Sequence, residues 1–168
     1  MGEAMIFRPT YVFKSVTDIS SDFLKKNNIG GLILDLDNTL TTHNNPQPAE
    51  KVTDWIKAMK SAEIRLMIVS NNSVERVTPF AESLKLAFVA NGRKPLSSGI
   101  NRAQKLMGIP FENIAIVGDQ VFTDVLGANL RRVRTIYVHP IELEKGFFFK
   151  LKRTLEKPFL RKIKITGE

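Results

Sequence analysis

The sequence predicts an α/β fold built on one open, mainly parallel sheet of five strands. Two observations carry this. From Gly30 onward, short runs rich in β-branched and aliphatic residues alternate with stretches whose apolar residues recur at helical spacing, the pattern of parallel strands joined by crossover helices. The residues that directly follow those runs are polar and chemically specific, as expected where ligands bind beyond the carboxyl ends of strands in an open sheet.

The expected strands are, in order, Gly31 to Leu36, Arg65 to Ser70, Leu86 to Ala90, Asn113 to Gly118 and Val133 to Val138. Between them Val52, Trp55, Ile56 and Met59 fall at helical spacing, as do Val74, Val77, Ala81 and Leu84, and Ile100, Ala103, Leu106 and Met107. Such stripes mark helix faces turned to the core. Ser73 stands where a helix N-cap is needed, and Gly108 with Pro110 reads as a helix stop. Tyr11 to Leu24 is either a packing element or a membrane-facing one.

At 168 residues and 43% hydrophobic, the chain fits a single domain over 1–168 with a respectable core. That core is expected at about 30–140, between an N-terminal segment 1–29 and a basic C-terminal segment 145–168. Cysteine is absent, which excludes disulfides, thiolate metal sites and cysteine nucleophiles. No apolar run approaches the roughly 20 residues that span a bilayer. The N-terminus shows no secretory pattern, so the expected location is cytoplasmic, with peripheral contact at the inner membrane face a further option. Net charge is +8, of which Lys145 to Glu168 supplies +6 from eight Lys/Arg against two Glu. A basic block favours anionic partners or is simply a solvated end. Phe148, Leu151, Leu155 and Phe159 share a helical face there, although Pro158 would strain or end the helix. The tail therefore reads as an interfacial helix on anionic lipid or as a helix packed on the sheet.

The first strand ends in Asp35-Leu36-Asp37-Asn38-Thr39, the second in Ser70-Asn71-Asn72 and the fourth in Gly118-Asp119-Gln120, while Asn91-Gly92-Arg93-Lys94-Pro95 follows the third. If the chain turns out of the pleat after Asp35, Asp35 and Asp37 face one crevice. A carboxylate is a competent nucleophile for a phosphoryl group, and a second one can serve as acid and then base. Carboxylates repel a phosphate dianion, so a cation must lie between them. Hard oxygens from Asp35, Asp119 and a backbone carbonyl suit Mg²⁺. Thr39, Ser70, Asn71 and Lys94 are the candidate phosphate-binding residues, by hydrogen bonding or charge. His43 and His139 are isolated and read as loop residues; Arg131, Arg132 and Arg134 read as a solvated face.

Leu34 to Thr41 (LDLDNTLT), Ser70 to Asn72, Lys94-Pro95, and Gly118-Asp119 with Thr123-Asp124 together resemble the four motifs of the haloacid dehalogenase superfamily, in order and at the expected strand ends. The resemblance covers about Gly30 to Asp124 and the sheet through Val138. It implies a Rossmann-like three-layer sandwich and an Mg²⁺-dependent phosphatase. Asp35 would be nucleophile and metal ligand, Asp37 acid/base with a metal-binding backbone carbonyl, and Asp119 a metal ligand. Asp124 would touch a metal-bound water or orient Lys94. The GDQ and TD wording, DNTLT and the basic end are similar to the YqeG branch, which resembles phosphatidylglycerophosphate phosphatases. The short gaps between motifs leave no room for a cap domain, so the site should be open and suited to a bulky substrate such as a phospholipid. A phosphatase for a soluble nucleotide or sugar phosphate and a nucleic-acid-binding module using the tail are the competing readings. Oligomeric state is not legible.

Overall fold

Valine, isoleucine and leucine crowd the central strands because both faces of those strands are covered. The computed structural model describes residues 6–43, 45–96, 98–142, 146–160 and 165–166, with the backbone alone at 147–149. Six strands are seen among them: β1 (Tyr11–Phe13), β2 (Gly31–Leu34), β3 (Arg65–Val69), β4 (Ala87–Val89), β5 (Ile114–Gly118) and β6 (Arg134–Val138). They form one sheet in the order β1-β6-β5-β2-β3-β4, with every pair parallel. The five expected strands are all present, and β1 is an addition at the edge. Three residues are too few to show as a strand in sequence; β1 owes its place to pairing with Ile136, Tyr137 and Val138 of β6.

The helices are α1 (Ser21–Lys26), α2 (Glu50–Ser61), α3 (Val74–Ser83), α4 (Ser98–Met107), α5 (Leu126–Asn129) and α6 (Phe147–Leu160). Alternation along the central strands divides the core into two layers. Leu32 and Leu34 of β2 and Ala115 and Val117 of β5 pack with Val52, Trp55, Val77 and Phe80 of α2 and α3. Ile33, Ile114 and Ile116 pack on the other side with Ile100, Ala103 and Met107 of α4. The result is a three-layer, Rossmann-like sandwich.

Two stripe residues are exposed instead of buried, Val74 at 48% and Leu106 at 69%. Val74 is the first residue of its helix, and Leu106 is rotated off the Ile100–Ala103–Met107 face by the 3.6-residue period. Ser73 takes the N-cap position without making a side-chain capping hydrogen bond. Gly108 ends α4 with φ +65, a left-handed geometry that glycine adopts freely.

The chain runs β2 to β3 to β4 on one side, then returns through α4 to β5 on the other side of β2. The strand order thus reverses between β2 and β5, a topological switch point that opens a crevice at their carboxyl ends. The β2–β3 connection holds a loop and α2, and the β3–β4 connection holds α3, so neither described connection carries a cap.

Tyr11 to Leu24 is a packing element. Phe13, Val16, Ile19 and Leu24 are buried in the layer shared with α2, and the buried Trp55 indole donates to the Ile19 carbonyl at 2.8 Å. Trp55→Phe should leave that carbonyl unsatisfied and lower unfolding free energy by about 1–3 kcal/mol, measured by urea titration; an unchanged midpoint would show that the bond is dispensable.

Candidate active site

After β2, Asp35 N–H still bonds to Val117 of β5 at 2.9 Å, and then the chain leaves the sheet. Leu36 O accepts from Leu40 and Thr41, Asn38 N donates to Thr41 O at 2.6 Å, and Asn38 takes φ 61, which asparagine tolerates better than most residues. This tight loop brings Asp37 back toward Asp35. Both line a pocket of about 140 Å³ with His43, Ser70, Asn71, Asn72, Lys94, Gln120 and Thr123.

Lys94 is the bridge of the site. Its Nζ donates to Asp35 and, at 2.7 Å, to Asp124 Oδ1, with the lysine side chain 3% exposed. Asn71 fixes the Lys94 backbone from both sides, accepting from its N–H at 2.7 Å and donating to its carbonyl at 3.0 Å. Ser70 is 2% exposed, and its hydroxyl accepts from Asn72 N–H at 3.2 Å. Asp124 lies on a single π-turn, Val121–Val125, a distortion frequent at functional sites. Its carboxyl packs against Gly118, where a Cβ would come within 2.2 Å of it, so only glycine fits.

Asp35, Asp119 and Asp124 each offer an oxygen, and these lie within 4.8 Å of one another. Lys94 and Arg153, which donates to Asp119 Oδ2, face the cluster. The other oxygen of Asp119, Oδ1, is buried with no hydrogen-bond partner among the described residues. A fully buried carboxylate oxygen without a donor is costly unless a cation takes it, and an all-oxygen cluster fits a hard divalent metal. Burial pushes the Asp35 carboxyl up to about 6, despite the lowering effect of Lys94. Burial and the neighbouring Asp35 hold Asp119 well above the usual carboxylate range. At Lys94, burial is outweighed by Asp124 and Asp35, and the ammonium is held above its ordinary value.

Of the sequence candidates, Asp35, Asp37, Ser70, Asn71 and Lys94 line one pocket, and Asp119 and Asp124 join Asp35 in the buried cluster. Thr39 does not reach them. It is 2% exposed, its hydroxyl has no hydrogen-bond partner among the described residues, and it lines a separate cavity with Ser15, Leu40 and Ile141. His43, read as an ordinary loop residue, lies in the pocket with Nδ1 3.7 Å from Asp37. Asp37 is also held by Arg76 at 2.6 Å and by Asn72. Neither Arg76 nor Arg153 stood out in sequence, because a lone arginine on a helix reads as a solvated face.

Among the described residues of α6 the inward side is mixed. Arg153 and Glu156 turn inward, while Leu151 and Leu155 are 46% and 54% exposed. Phe159 packs near Phe7 and Phe122, and Pro158 is accommodated within the helix. The packed-helix reading thus holds for Phe159, and the shared apolar face divides. The expected tail residues Lys145 and Ile163 lie outside the described residues.

The raised Asp35 has a stability consequence. Between its usual 3.8 and about 6, the metal-free native state holds a proton that the unfolded chain has released, so stability falls as pH rises through that window. Asp35→Asn should flatten this fall and raise the melting midpoint in EDTA at pH 7, by about 2–4 °C for each kcal/mol gained. Thermal melts from pH 4.5 to 7 check this; a mutant that melts below wild type at pH 7 would contradict it.

Residues 42–130 match the haloacid dehalogenase-like hydrolase family. The chain is 37% identical over 161 residues to "Probable phosphatase YqeG" of Bacillus subtilis, covering 96% of this chain and 94% of that protein. Its fold resembles the cobalt-bound deoxy-D-mannose-octulosonate 8-phosphate phosphatase of Haemophilus influenzae, with TM-score 0.55, 16% identity, and 81% and 90% of the two chains covered. It also resembles an uncharacterized Listeria monocytogenes protein, with TM-score 0.56, 16% identity, and 70% and 85% covered. With the family match, the full-length relative and the fold in agreement, this chain belongs to the haloacid dehalogenase-like hydrolases and is a phosphatase of that family.

Proposed function

We propose that the chain is an Mg²⁺-dependent phosphomonoesterase that works through an aspartyl-phosphate on Asp35 and converts phosphatidylglycerophosphate to phosphatidylglycerol. The observation that carries the mechanism is the buried Asp35–Lys94 pair in a pocket that Asp37 and Ser70 also line. Asp35 attacks phosphorus and the ester P–O bond breaks. Asp37, held by Arg76 and Asn72, gives the leaving alkoxide its proton. Asp37 then takes a proton from water as that water attacks phosphorus, which releases inorganic phosphate and restores the Asp35 carboxylate. Lys94 and Ser70 hold phosphate oxygens, and Asn71 keeps Lys94 in place. Mg²⁺, held by Asp35, Asp119 and the Asp37 main-chain carbonyl, would offset the repulsion between carboxylates and phosphate.

Two features support a lipid headgroup over a soluble ester. The pocket has no covering domain among the described residues, so a substrate's bulk can lie outside it. The exposed Leu151 and Leu155 sit on α6 with exposed Lys150 and Lys157, and that helix borders the pocket through Lys152, which donates to Gln120. An apolar stripe edged with lysine suits the surface of an anionic bilayer. Contact would be peripheral: no described helix is long and apolar enough to cross a membrane.

Phosphate release from phosphatidylglycerophosphate in mixed micelles tests this, with a sugar phosphate and a nucleotide as controls. Wild type should release phosphate with Mg²⁺ and stop in EDTA, and Asp35→Asn should lose on the order of 10³-fold or more in kcat. Faster turnover of the soluble controls would overturn the lipid substrate and leave the phosphatase standing. Leu151→Asp with Leu155→Asp should slow turnover of micellar substrate several-fold while leaving soluble esters unaffected.

A further inference from the structure

α6 grips three consecutive residues at the end of β5. Arg153 Nη2 donates to Asp119 Oδ2, and Nη1 donates both to the Asp119 carbonyl and to Glu156 Oε2 at 3.1 Å. Glu156, 1% exposed, accepts the Val121 N–H at 2.9 Å through its other oxygen. Lys152 holds the Gln120 side chain between them. A helix that needed only to cover the sheet would turn apolar residues inward. This one packs Phe159 and Leu160 inward but also turns a partly exposed guanidinium and the buried Glu156 carboxylate to the protein, and leaves Leu151 and Leu155 outside.

We propose that Arg153 is a positioning residue for the metal centre, fixing the Asp119 carboxylate by one oxygen so that the other is presented to a divalent cation. A carboxylate can rotate about its last bond, and an unanchored one presents either oxygen or both. With Arg153 bound to Oδ2 and to the backbone carbonyl of the same residue, that rotation is stopped. Oδ1 is then the oxygen left over, and it is the one found buried without a donor. The rigid fork of arginine suits this task, since it engages two acceptors in one plane, whereas an ammonium cannot. Arg153 also adds a second positive charge, with Lys94, beside three carboxylates, which lets them stay close before the metal arrives. The C-terminal helix is therefore part of the site, although it lies outside the four motifs.

The inference rests on Asp119 being a metal ligand, and the experiment separates the two. Mg²⁺ and Mn²⁺ affinities are measured by calorimetry on the full chain for wild type, Arg153→Met, Arg153→Lys, Asp119→Asn and Phe159→Ala, with circular dichroism to establish folding. Arg153→Met should weaken the metal Kd by about 10–100-fold, and Arg153→Lys should recover part of that loss. Should Arg153→Met fail to fold, the Arg153→Lys deficit alone carries the test. Phe159→Ala loosens the packing of the same helix with Arg153 intact, so it should lower the melting midpoint and leave Kd within about threefold. A Kd for Arg153→Met that is unchanged or tighter, while Asp119→Asn loses the metal, overturns the positioning role and keeps the ligand. Equal weakening in Phe159→Ala also overturns it, because helix docking would then be the cause. Wild-type affinity in Asp119→Asn overturns the ligand reading on which the inference stands.

Discussion

Three carboxylates share one small, largely dry volume at the carboxyl ends of β2 and β5, and the surrounding structure is arranged around keeping them there. Asp35, Asp119 and Asp124 would repel one another strongly at this separation. Two cations make the arrangement tolerable, Lys94 between Asp35 and Asp124 and Arg153 on Asp119. The elevated positions of Asp35 and Asp119 on the pH scale reflect what burial and mutual repulsion leave uncompensated. Such a cluster is under-neutralised without a further cation, which links metal binding to stability as well as to chemistry.

Much of the loop structure exists to place those two cations. The Asn71 amide clasps the main chain of Lys94 on both sides, so an ammonium on a flexible stem is delivered from a fixed backbone. Asp124 is delivered by a π-turn, and Gly118 leaves the space its carboxyl needs. The guanidinium comes from far away in sequence, on α6, where Glu156 holds both Arg153 and the Val121 N–H. Asp37 stands apart from the cluster and has its own holders in Arg76 and Asn72. Two carboxylates two residues apart are thereby given different surroundings, Asp35 among like charges and Asp37 beside an arginine.

The same topology explains why the site is open. The reversal of strand order between β2 and β5 makes the crevice, and the described connections over it are a short loop and ordinary crossover helices. Selectivity in such a site must come from the rim. Here the rim includes His43, Gln120 and Thr123 and, through Lys152, the helix whose outer face carries Leu151 and Leu155.

The sequence by itself determined the fold class, five of the six strands among the described residues, the helix stripes, and candidates of which Asp35, Asp37, Ser70, Asn71 and Lys94 line one pocket and Asp119 and Asp124 cluster with Asp35. It could do so because burial imposes periods of 2 and 3.6 on apolar residues, and because the polar groups at strand ends sit in short local motifs whose wording survives without coordinates. Tertiary structure alone decided what depends on contacts between distant segments. β1 became a strand only by pairing across more than 100 residues with β6, and Thr39, inside the first motif, was turned away from the pocket by the Leu36–Thr41 loop. Arg76, His43 and Arg153 acquired their places from side chains reaching across the crevice. The tail showed the difference most plainly. Its composition promised an apolar face and a basic one, but the packed side is mixed, because the acceptor and donor groups of Asp119 and Val121 meet Arg153 and Glu156 there beside Phe159 and Leu160, while Leu151 and Leu155 stay outside.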